Sequence, residues 1–181
     1  MKRLLLGLMV AAVAAIGFGS VGAVAAANGQ LQAFGTGTVT ITSADSATIV
    51  NAAGQYGGVY VQSKSQSGMP LNAVSFSFVS NGDVTGGAPR FSIPINTAGG
   101  GGSVAGYAFL DAANCGGSSN VPTTVSTTAA NCKVFFQSGT FDNWTAFAAL
   151  NPTYRVAQGH FPFIIADGAA GSYAVNSIVL T

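Results

Sequence analysis

Two stretches of alternating apolar and polar residues stand out near the middle of the chain. They cover residues 74–78 and 90–95, and a polar, glycine-bearing loop separates them. Alternation with a period of two is typical of a β-strand with one buried face. The pattern predicts that five side chains face a core, namely Phe76, Phe78, Phe91, Ile93 and Ile95, and that four face outward, namely Ser75, Ser77, Arg90 and Ser92.

Shorter apolar segments on either side of this pair predict further strands. They cover residues 38–42, 47–50, 58–62, 107–111, 132–137 and 161–165, and the last of these is apolar on both faces. The C-terminal segment changes phase, because Tyr173 and Val175 share one parity while Ile178 and Leu180 share the other. A β-bulge near Asn176 and Ser177 would place all four side chains on the core side.

One short helix is predicted at residues 143–150. Asp142 is a favourable N-cap residue, and Trp144 and Phe147 share one face, which Leu150 could extend. The helix should end at Asn151, because the residue before a proline is disfavoured in helical geometry. Two turns are too short to be stable alone, so this helix must lie against a β-body. About nine or ten strands and one helix predict a sandwich or a barrel.

The N-terminus has the three parts of a secretory signal peptide. Lys2 and Arg3 precede a long uncharged, mostly apolar stretch. Two A-x-A cleavage motifs follow, Ala23-Val-Ala25 and Ala25-Ala-Ala27. We therefore predict a signal peptide at residues 1–27 and a single domain at 28–181. The alternative is an uncleaved membrane anchor, since the uncharged stretch is long enough to span a bilayer.

Charge is scarce in the predicted mature chain and excludes some partners. Four basic residues stand against five acidic ones, which gives a net charge of −1: Lys64, Arg90, Lys133 and Arg155 against Asp45, Asp83, Asp111, Asp142 and Asp167. A surface of this kind has no basic stripe to neutralise phosphates, so nucleic acid is not an expected partner. It also has no cluster of basic residues that would attract an anionic membrane.

The chain contains two cysteines, Cys115 and Cys132. A lone pair in an exported chain is typical of one disulfide. A zinc site is a poor alternative, because neither cysteine has a histidine or second cysteine at ligand spacing.

Catalytic chemistry finds little support in the sequence. His160 is the only histidine, so a Ser-His-Asp triad would have to use it, but no G-x-S-x-G elbow is present. We interpret His160 as a turn residue beside Gly159. Calcium remains open through oxygen ligands at Asp83, Asp111 or Asp167, although no EF-hand loop exists. We predict no catalytic residue, no metal site and no cofactor, and a hydrolase is the third choice of function.

Carbohydrate binding requires less of the sequence, namely an aromatic surface and a few hydrogen-bonding groups with little charge. Aromatic candidates are Trp144, Tyr154, Tyr107 and Tyr60, and polar ones are Arg90, Asn143, Asp142 and Gln137. The competing interpretation is that most of these aromatic side chains belong to the core. We select Trp144, Tyr154 and Arg90 as the predicted ligand-binding residues. If Arg90 is covered, Asp142 and Asp111 are its candidate ion-pair partners.

Several segments taken together resemble a group of uncharacterised bacterial secreted proteins. The resemblance rests on residues 88–95 and 106–111, the two cysteines, and residues 141–147 and 163–167, and the final strand, 171–180, looks like that of jelly-roll carbohydrate-binding modules. It implies a jelly-roll-like antiparallel β-sandwich and no known activity. We therefore predict a secreted or cell-surface binding module, non-enzymatic, for polysaccharide or cell-wall glycan. The alternative is a structural or adhesive protein that self-associates through its β-edges.

Overall fold

Strands make up most of the regular secondary structure. The computed structural model describes residues 25–26, 29–63, 65–100 and 102–181, so most of the predicted signal peptide lies outside the described residues. Within them the chain forms fourteen strands, one α-helix and two 3-10 turns at Leu71–Ala73 and Ala113–Cys115. The strands are β1 Ala25–Ala26, β2 Gly29–Gly35, β3 Thr38–Ser43, β4 Ser46–Asn51, β5 Gly57–Gln62, β6 Phe76–Gly82, β7 Arg90–Asn96, β8 Gly106–Asp111, β9 Thr123–Ser126, β10 Val134–Phe136, β11 Gly139–Phe141, β12 Arg155–Val156, β13 Phe163–Ala166 and β14 Gly171–Leu180; helix α1 is Trp144–Leu150.

The strands form two antiparallel sheets, which confirms the predicted all-β sandwich. The larger sheet has the order β1-β2-β5-β13-β7-β8-β10-β11, with β12 also paired to β7, and the smaller has the order β3-β4-β14-β6-β9. Eight of these strands have the jelly-roll order, β5-β13-β7-β8 in one sheet and β4-β14-β6-β9 in the other. The structure has more strands than the nine or ten expected, and two of the additional ones, β1 and β11, have only two or three residues, too few to show a period.

The two strongly alternating stretches form facing strands of the sandwich. Strand β6 lies in the smaller sheet and β7 in the larger one, and the ring of Phe91 lies 5.4 Å from that of Phe76 and 6.0 Å from that of Phe78, measured between centroids. All five predicted inward side chains are at most 1% exposed. Burying side chains of this size is the main stabilising contribution to the fold, at roughly 2 kcal/mol each.

The predicted bulge in the last strand is confirmed. The register of β14 against β6 shifts between Asn176 and Val179, and Ser177 adopts a left-handed φ of 50°. Tyr173, Val175, Ile178 and Leu180 are all at most 2% exposed. One extra residue therefore restores the inward phase of the strand after it has been lost.

Helix α1 differs from the prediction in its N-cap and in the position of Leu150. Its N-cap is Asn143 and not Asp142, because the Asn143 Oδ1 accepts a hydrogen bond from the amide of Ala146 at 2.9 Å. Trp144 and Phe147 are buried as predicted, whereas Leu150 is 71% exposed and lies off the buried face. The helix ends before Pro152, at Asn151, as predicted.

The predicted disulfide between Cys115 and Cys132 is confirmed. The chain between the two cysteines leaves the larger sheet after β8, contributes β9 to the smaller sheet, and returns to the larger sheet as β10. The bond therefore closes a loop that connects both layers of the sandwich. Within the described residues, no helix has the length and apolar character needed to span a membrane.

Candidate functional site

The two outer faces of the sandwich differ in their chemistry. The outer face of the smaller sheet carries small polar side chains such as Thr38, Thr40, Thr48 and Ser172. The outer face of the larger sheet instead carries six partly exposed aromatic residues, which we call the aromatic face: Phe34, Tyr60, Tyr107, Phe109, Phe135 and Phe163. Outward-facing positions of a two-layer sandwich are normally polar, so the larger sheet is the exception.

Strand register brings the aromatic face together. Tyr60 of β5 lies opposite Phe163 of β13, and Phe109 of β8 lies opposite Phe135 of β10. The ring centroid of Phe163 is 5.6 Å from that of Phe34, 5.6 Å from that of Tyr60 and 5.3 Å from that of Tyr107. These contacts are edge-to-face, the arrangement that aromatic pairs favour. Phe163 is therefore the centre of the cluster.

Ser92 occupies the middle of this face but is not exposed. It lies between Phe163 and Phe109 in the strand register, and its exposure is 0%. Ser92 points to the outer face of the sheet, as predicted. It is nevertheless buried, because the flanking aromatic rings cover so small a side chain. The Ser92 hydroxyl has no hydrogen-bond partner among the described residues.

Arg90 borders the aromatic face and is held in place on two sides. Its guanidinium lies 4.7 Å from the centroid of the Phe109 ring, a favourable cation–π geometry, and it forms an ion pair with Asp167. Of the two predicted partners, Asp142 is not one, because it lies exposed at the start of α1. Asp111 is the cross-strand neighbour of Arg90, although the ion pair is formed with Asp167.

The carboxyl group of Asp111 has an unusual environment. Burial raises its pKa, and this effect exceeds the opposing effects of the positive charge of Arg90 and a hydrogen bond from Asn114. Its Oδ2 accepts that bond from the Asn114 Nδ2 at 3.1 Å, while its Oδ1 has no partner among the described residues. The charged border of the aromatic face is thus one arginine with two aspartates, only one of which forms an ion pair with it.

Uncharged hydrogen-bonding groups surround the aromatic rings. Gln32 of β2 lies opposite Tyr60, and its Oε1 accepts a hydrogen bond from the Gln62 Nε2. Tyr60 and Tyr107 each carry a phenol hydroxyl on a partly exposed ring. A layer of aromatic rings with a few neutral polar groups is the usual composition of a site for an uncharged organic ligand.

The structure separates the three residues that the sequence predicted as one site. Trp144 is 3% exposed and its indole N–H donates to the carbonyl oxygen of Leu71 at 2.8 Å. Tyr154 is partly buried on the core side, where its ring centroid lies 5.9 Å from that of Phe136 and 6.3 Å from that of Phe147. Arg90 lies on the opposite face of the same sheet. By contrast, two other aromatic candidates, Tyr60 and Tyr107, do share the aromatic face.

A groove of about 480 Å³ beside helix α1 is the one place where Trp144 contributes to a surface. It contains no charged residue, and its polar lining includes Asn72, Thr128 and Thr145. The indole contributes little to this groove because it is almost fully buried. The groove is therefore a second place where a small neutral ligand could bind.

Among the residues considered for catalysis or metal binding, Asp111 and Asp167 flank Arg90, whereas His160 and Asp83 have other roles. His160 is exposed in the turn before β13, as its interpretation as a turn residue predicts. The Asp83 Oδ2 accepts a hydrogen bond from the amide of Ser172 at 2.7 Å, which is an ordinary role in a loop. In the part of the chain that the structure describes, no group of three or more His, Cys, Asp or Glu residues is placed to hold a metal ion.

Four members of the aromatic face were not among the sequence candidates: Phe34, Phe109, Phe135 and Phe163. A signal for them exists in the strands that are apolar on both faces, since Phe109 alternates with the buried Ala108 and Leu110, and Phe135 with the buried Val134 and Phe136. Residues 161–165 have the same property, which is also typical of a strand covered on both sides, yet Phe163 is partly exposed on the aromatic face. Such a pattern does not distinguish a face covered by protein from one open to a ligand.

No protein-family model, curated protein or solved structure matches this chain.

Proposed function

We propose that this protein is an exported, non-enzymatic binding module whose aromatic face binds a polysaccharide or cell-wall glycan. One observation supports the proposal above all others: six partly exposed aromatic residues lie on the outer face of the larger sheet. A contiguous apolar patch of this kind on a soluble domain usually marks an interaction site. The outer face of the smaller sheet carries Thr and Ser together with exposed valines such as Val50 and Val179, and no aromatic residue in the part of the chain that the structure describes.

The chemistry of this face favours a glycan over other ligands. A sugar ring has apolar C–H faces and a rim of hydroxyl groups, so it is bound by aromatic rings together with neutral donors and acceptors. Tyr60, Tyr107, Gln32 and Gln62 supply these groups, and the positive charge of Arg90 is already paired with Asp167. A charged ligand would find no free cluster of charge among the residues described here.

The place of action follows from the predicted signal peptide and the disulfide. Disulfides persist in oxidising surroundings such as the cell exterior, and the Cys115–Cys132 bond is present. We therefore propose that the module is secreted or located at the cell surface, where glycans are abundant.

Binding to a glycan array, followed by titration against the best polysaccharide, tests the proposal. We expect Tyr107→Ala to weaken binding about tenfold or more, since losing the contacts of one aromatic ring costs roughly 1.5 kcal/mol. Tyr107→Phe removes only the hydroxyl and separates hydrogen bonding from ring contact. Thr145→Ala in the groove beside α1 is the matched control and should bind normally.

Two results would count against this site. If Thr145→Ala loses binding and Tyr107→Ala retains it, the ligand occupies the groove that Trp144 lines. If no polysaccharide binds at concentrations up to the millimolar range, the proposed function is wrong. Circular dichroism of each variant shows whether the fold is intact.

A further inference from the structure

Strand β3 is an unprotected edge of the sandwich. Within the described residues, the two sheets end in β1, β11, β3 and β9, and β3 is the longest of these with six residues. It pairs with β4 on one side, and no described strand pairs with its other side. Its sequence from Thr38 to Ser43 contains no charged residue and no proline. Charge, proline, shortness and β-bulges are the usual means by which proteins prevent edge-to-edge pairing, and of these β3 has only a register shift near its end, between Ile41 and Ser43.

The core is incompletely covered at this edge. Val39 and Ile41 point inward but remain partly exposed, whereas their neighbours Ala47 and Ile49 on β4 are at most 1% exposed. A groove of about 410 Å³ lies between β3 and the facing strand β2, and its lining includes Leu31, Val39 and Ile41. Covering these side chains would remove apolar surface from water, which is favourable.

We propose that β3 pairs antiparallel with the β3 strand of a second copy of this chain, around a two-fold axis at Thr40. The sequence of β3 is nearly symmetric about that residue, reading Thr-Val-Thr-Ile-Thr from position 38 to 42. Such pairing places Thr40 opposite Thr40 of the second copy and Val39 opposite Ile41 of the second copy. Pairs of β-branched residues across an antiparallel ladder are stabilising, and a two-fold interface requires this self-complementarity.

The geometry of the edge permits this pairing. The register of β3 against β4 is regular from Thr38 to Ile41 and shifts only before Ser43, so the three central pairs lie on regular backbone. The nearest charge, Asp45, lies five positions from the axis, so the two Asp45 residues would be ten residues apart along the ladder, or roughly 30 Å. No like charges therefore face each other across the interface.

The pairing is expected to be weak and reversible. A six-residue edge covers less surface than the roughly 1,200 Å² at which stable interfaces begin. We therefore expect a dissociation constant of the dimer in the micromolar range. Several copies brought together on a glycan could pair more readily, because a shared ligand raises their effective concentration. The pairing itself does not depend on glycan binding.

Sedimentation velocity of the purified protein, from low to high micromolar concentration, tests the proposal. We expect a monomer–dimer equilibrium that Thr40→Lys shifts at least tenfold towards monomer, because the two lysines would face each other at the axis. The matched control is Thr48→Lys on the neighbouring strand, which lies opposite Thr40 on the same outer face but away from the axis. It should dimerise like the wild type.

Mixing complementary charges provides the decisive result. Thr40→Lys and Thr40→Glu should each be monomeric alone and should form a heterodimer when mixed, since opposite charges then meet at the axis. Concentration-independent monomer for the wild type would overturn the proposal. So would a dimer that survives Thr40→Lys, because the interface would then lie away from the β3 edge.

Discussion

At the residue scale, two aspartates illustrate how local environment moves a carboxyl group in opposite directions. Burial raises the pKa of Asp111, outweighing the nearby charge of Arg90. Hydrogen bonds from the hydroxyl groups of Ser43 and Ser46 lower the pKa of Asp45. The same chemical group therefore has a pKa above its ordinary value at one site and below it at the other.

We expect the pH dependence of stability to differ in sign between these two sites. For Asp111, the folded state holds the proton more tightly than the unfolded state, so its contribution is complete below about pH 3.8 and is lost as the pH rises through the raised pKa. The free energy of unfolding of the wild type should therefore fall, relative to that of Asp111→Asn, as the pH rises. Urea denaturation at several pH values measures the difference.

Asp45→Asn serves as the control because its trend should be reversed. The lowered pKa of Asp45 contributes stability above about pH 3.8 that is lost as the pH falls through the folded value. The wild type should therefore gain stability relative to Asp45→Asn as the pH rises. Parallel pH profiles for the two variants would contradict the environments described here.

At the element scale, the bulge in β14 decides which side chains reach the core. If β14 were regular through residues 176–178, with no bulge, Ile178 and Leu180 would point to solvent, because a shift of one residue exchanges the two faces of a strand. Ser177 carries the strain of the bulge with its φ of 50°. A left-handed conformation of this kind costs a non-glycine residue roughly 1–2 kcal/mol.

Substitutions at Ser177 and at Ser172 should therefore follow opposite orders. We expect Ser177→Gly to leave the free energy of unfolding within about 0.5 kcal/mol of the wild type, since relief of strain offsets the entropy cost of glycine. Ser177→Val should lower it by about 1–2 kcal/mol. At Ser172, exposed on a regular part of β14, glycine should cost about 0.5–1 kcal/mol and valine should be tolerated.

Chemical denaturation of the four variants gives these values. Equal effects of glycine at both positions would show that Ser177 is not strained. These substitutions should leave helix α1 unchanged, because α1 packs elsewhere, against the first 3-10 turn at Leu71–Ala73 and against β11.

At the scale of the whole molecule, the disulfide closes a loop that contributes a strand to the smaller sheet and has both its ends beside the larger sheet. The loop from Cys115 to Cys132 crosses from the larger sheet to the smaller one and back. We expect the double variant Cys115→Ala, Cys132→Ala to fold but to lose about 3 kcal/mol of stability, the chain-entropy value for a loop of this length. Urea denaturation measures the loss.

The reduced wild type is the control for this variant. It should unfold at a urea concentration close to that of the double variant, because both lack the cross-link while the surrounding residues are unchanged or nearly so. If reduction has no effect on the midpoint, the two sheets are held together by their packing alone.

Patterns along the chain were enough to predict an all-β sandwich, its main buried faces and several of its details. Alternation placed Phe76, Phe78, Phe91, Ile93 and Ile95 in the core, the loss of phase after Val175 located the bulge, and the two cysteines identified the bond between them. The buried faces and the bulge depend on neighbours along the chain. The disulfide depends on two cysteines that have no other cysteine to pair with. Period-two patterning specifies a buried face because successive side chains of a strand point to opposite sides.

The place where a ligand could bind depends on contacts between distant segments, which exist only in the folded protein. Trp144 and Tyr154 are chemically suitable for a sugar, but packing of α1 and the core side of β10 buries most of their surface. Tyr60, Tyr107 and Phe163 lie far apart in the chain and meet because β5, β13, β7 and β8 are ordered side by side. Strand order depends on the whole chain folding at once, and no local pattern encodes it. For the same reason, an apolar strand face could be assigned to solvent only after both sheets were in place.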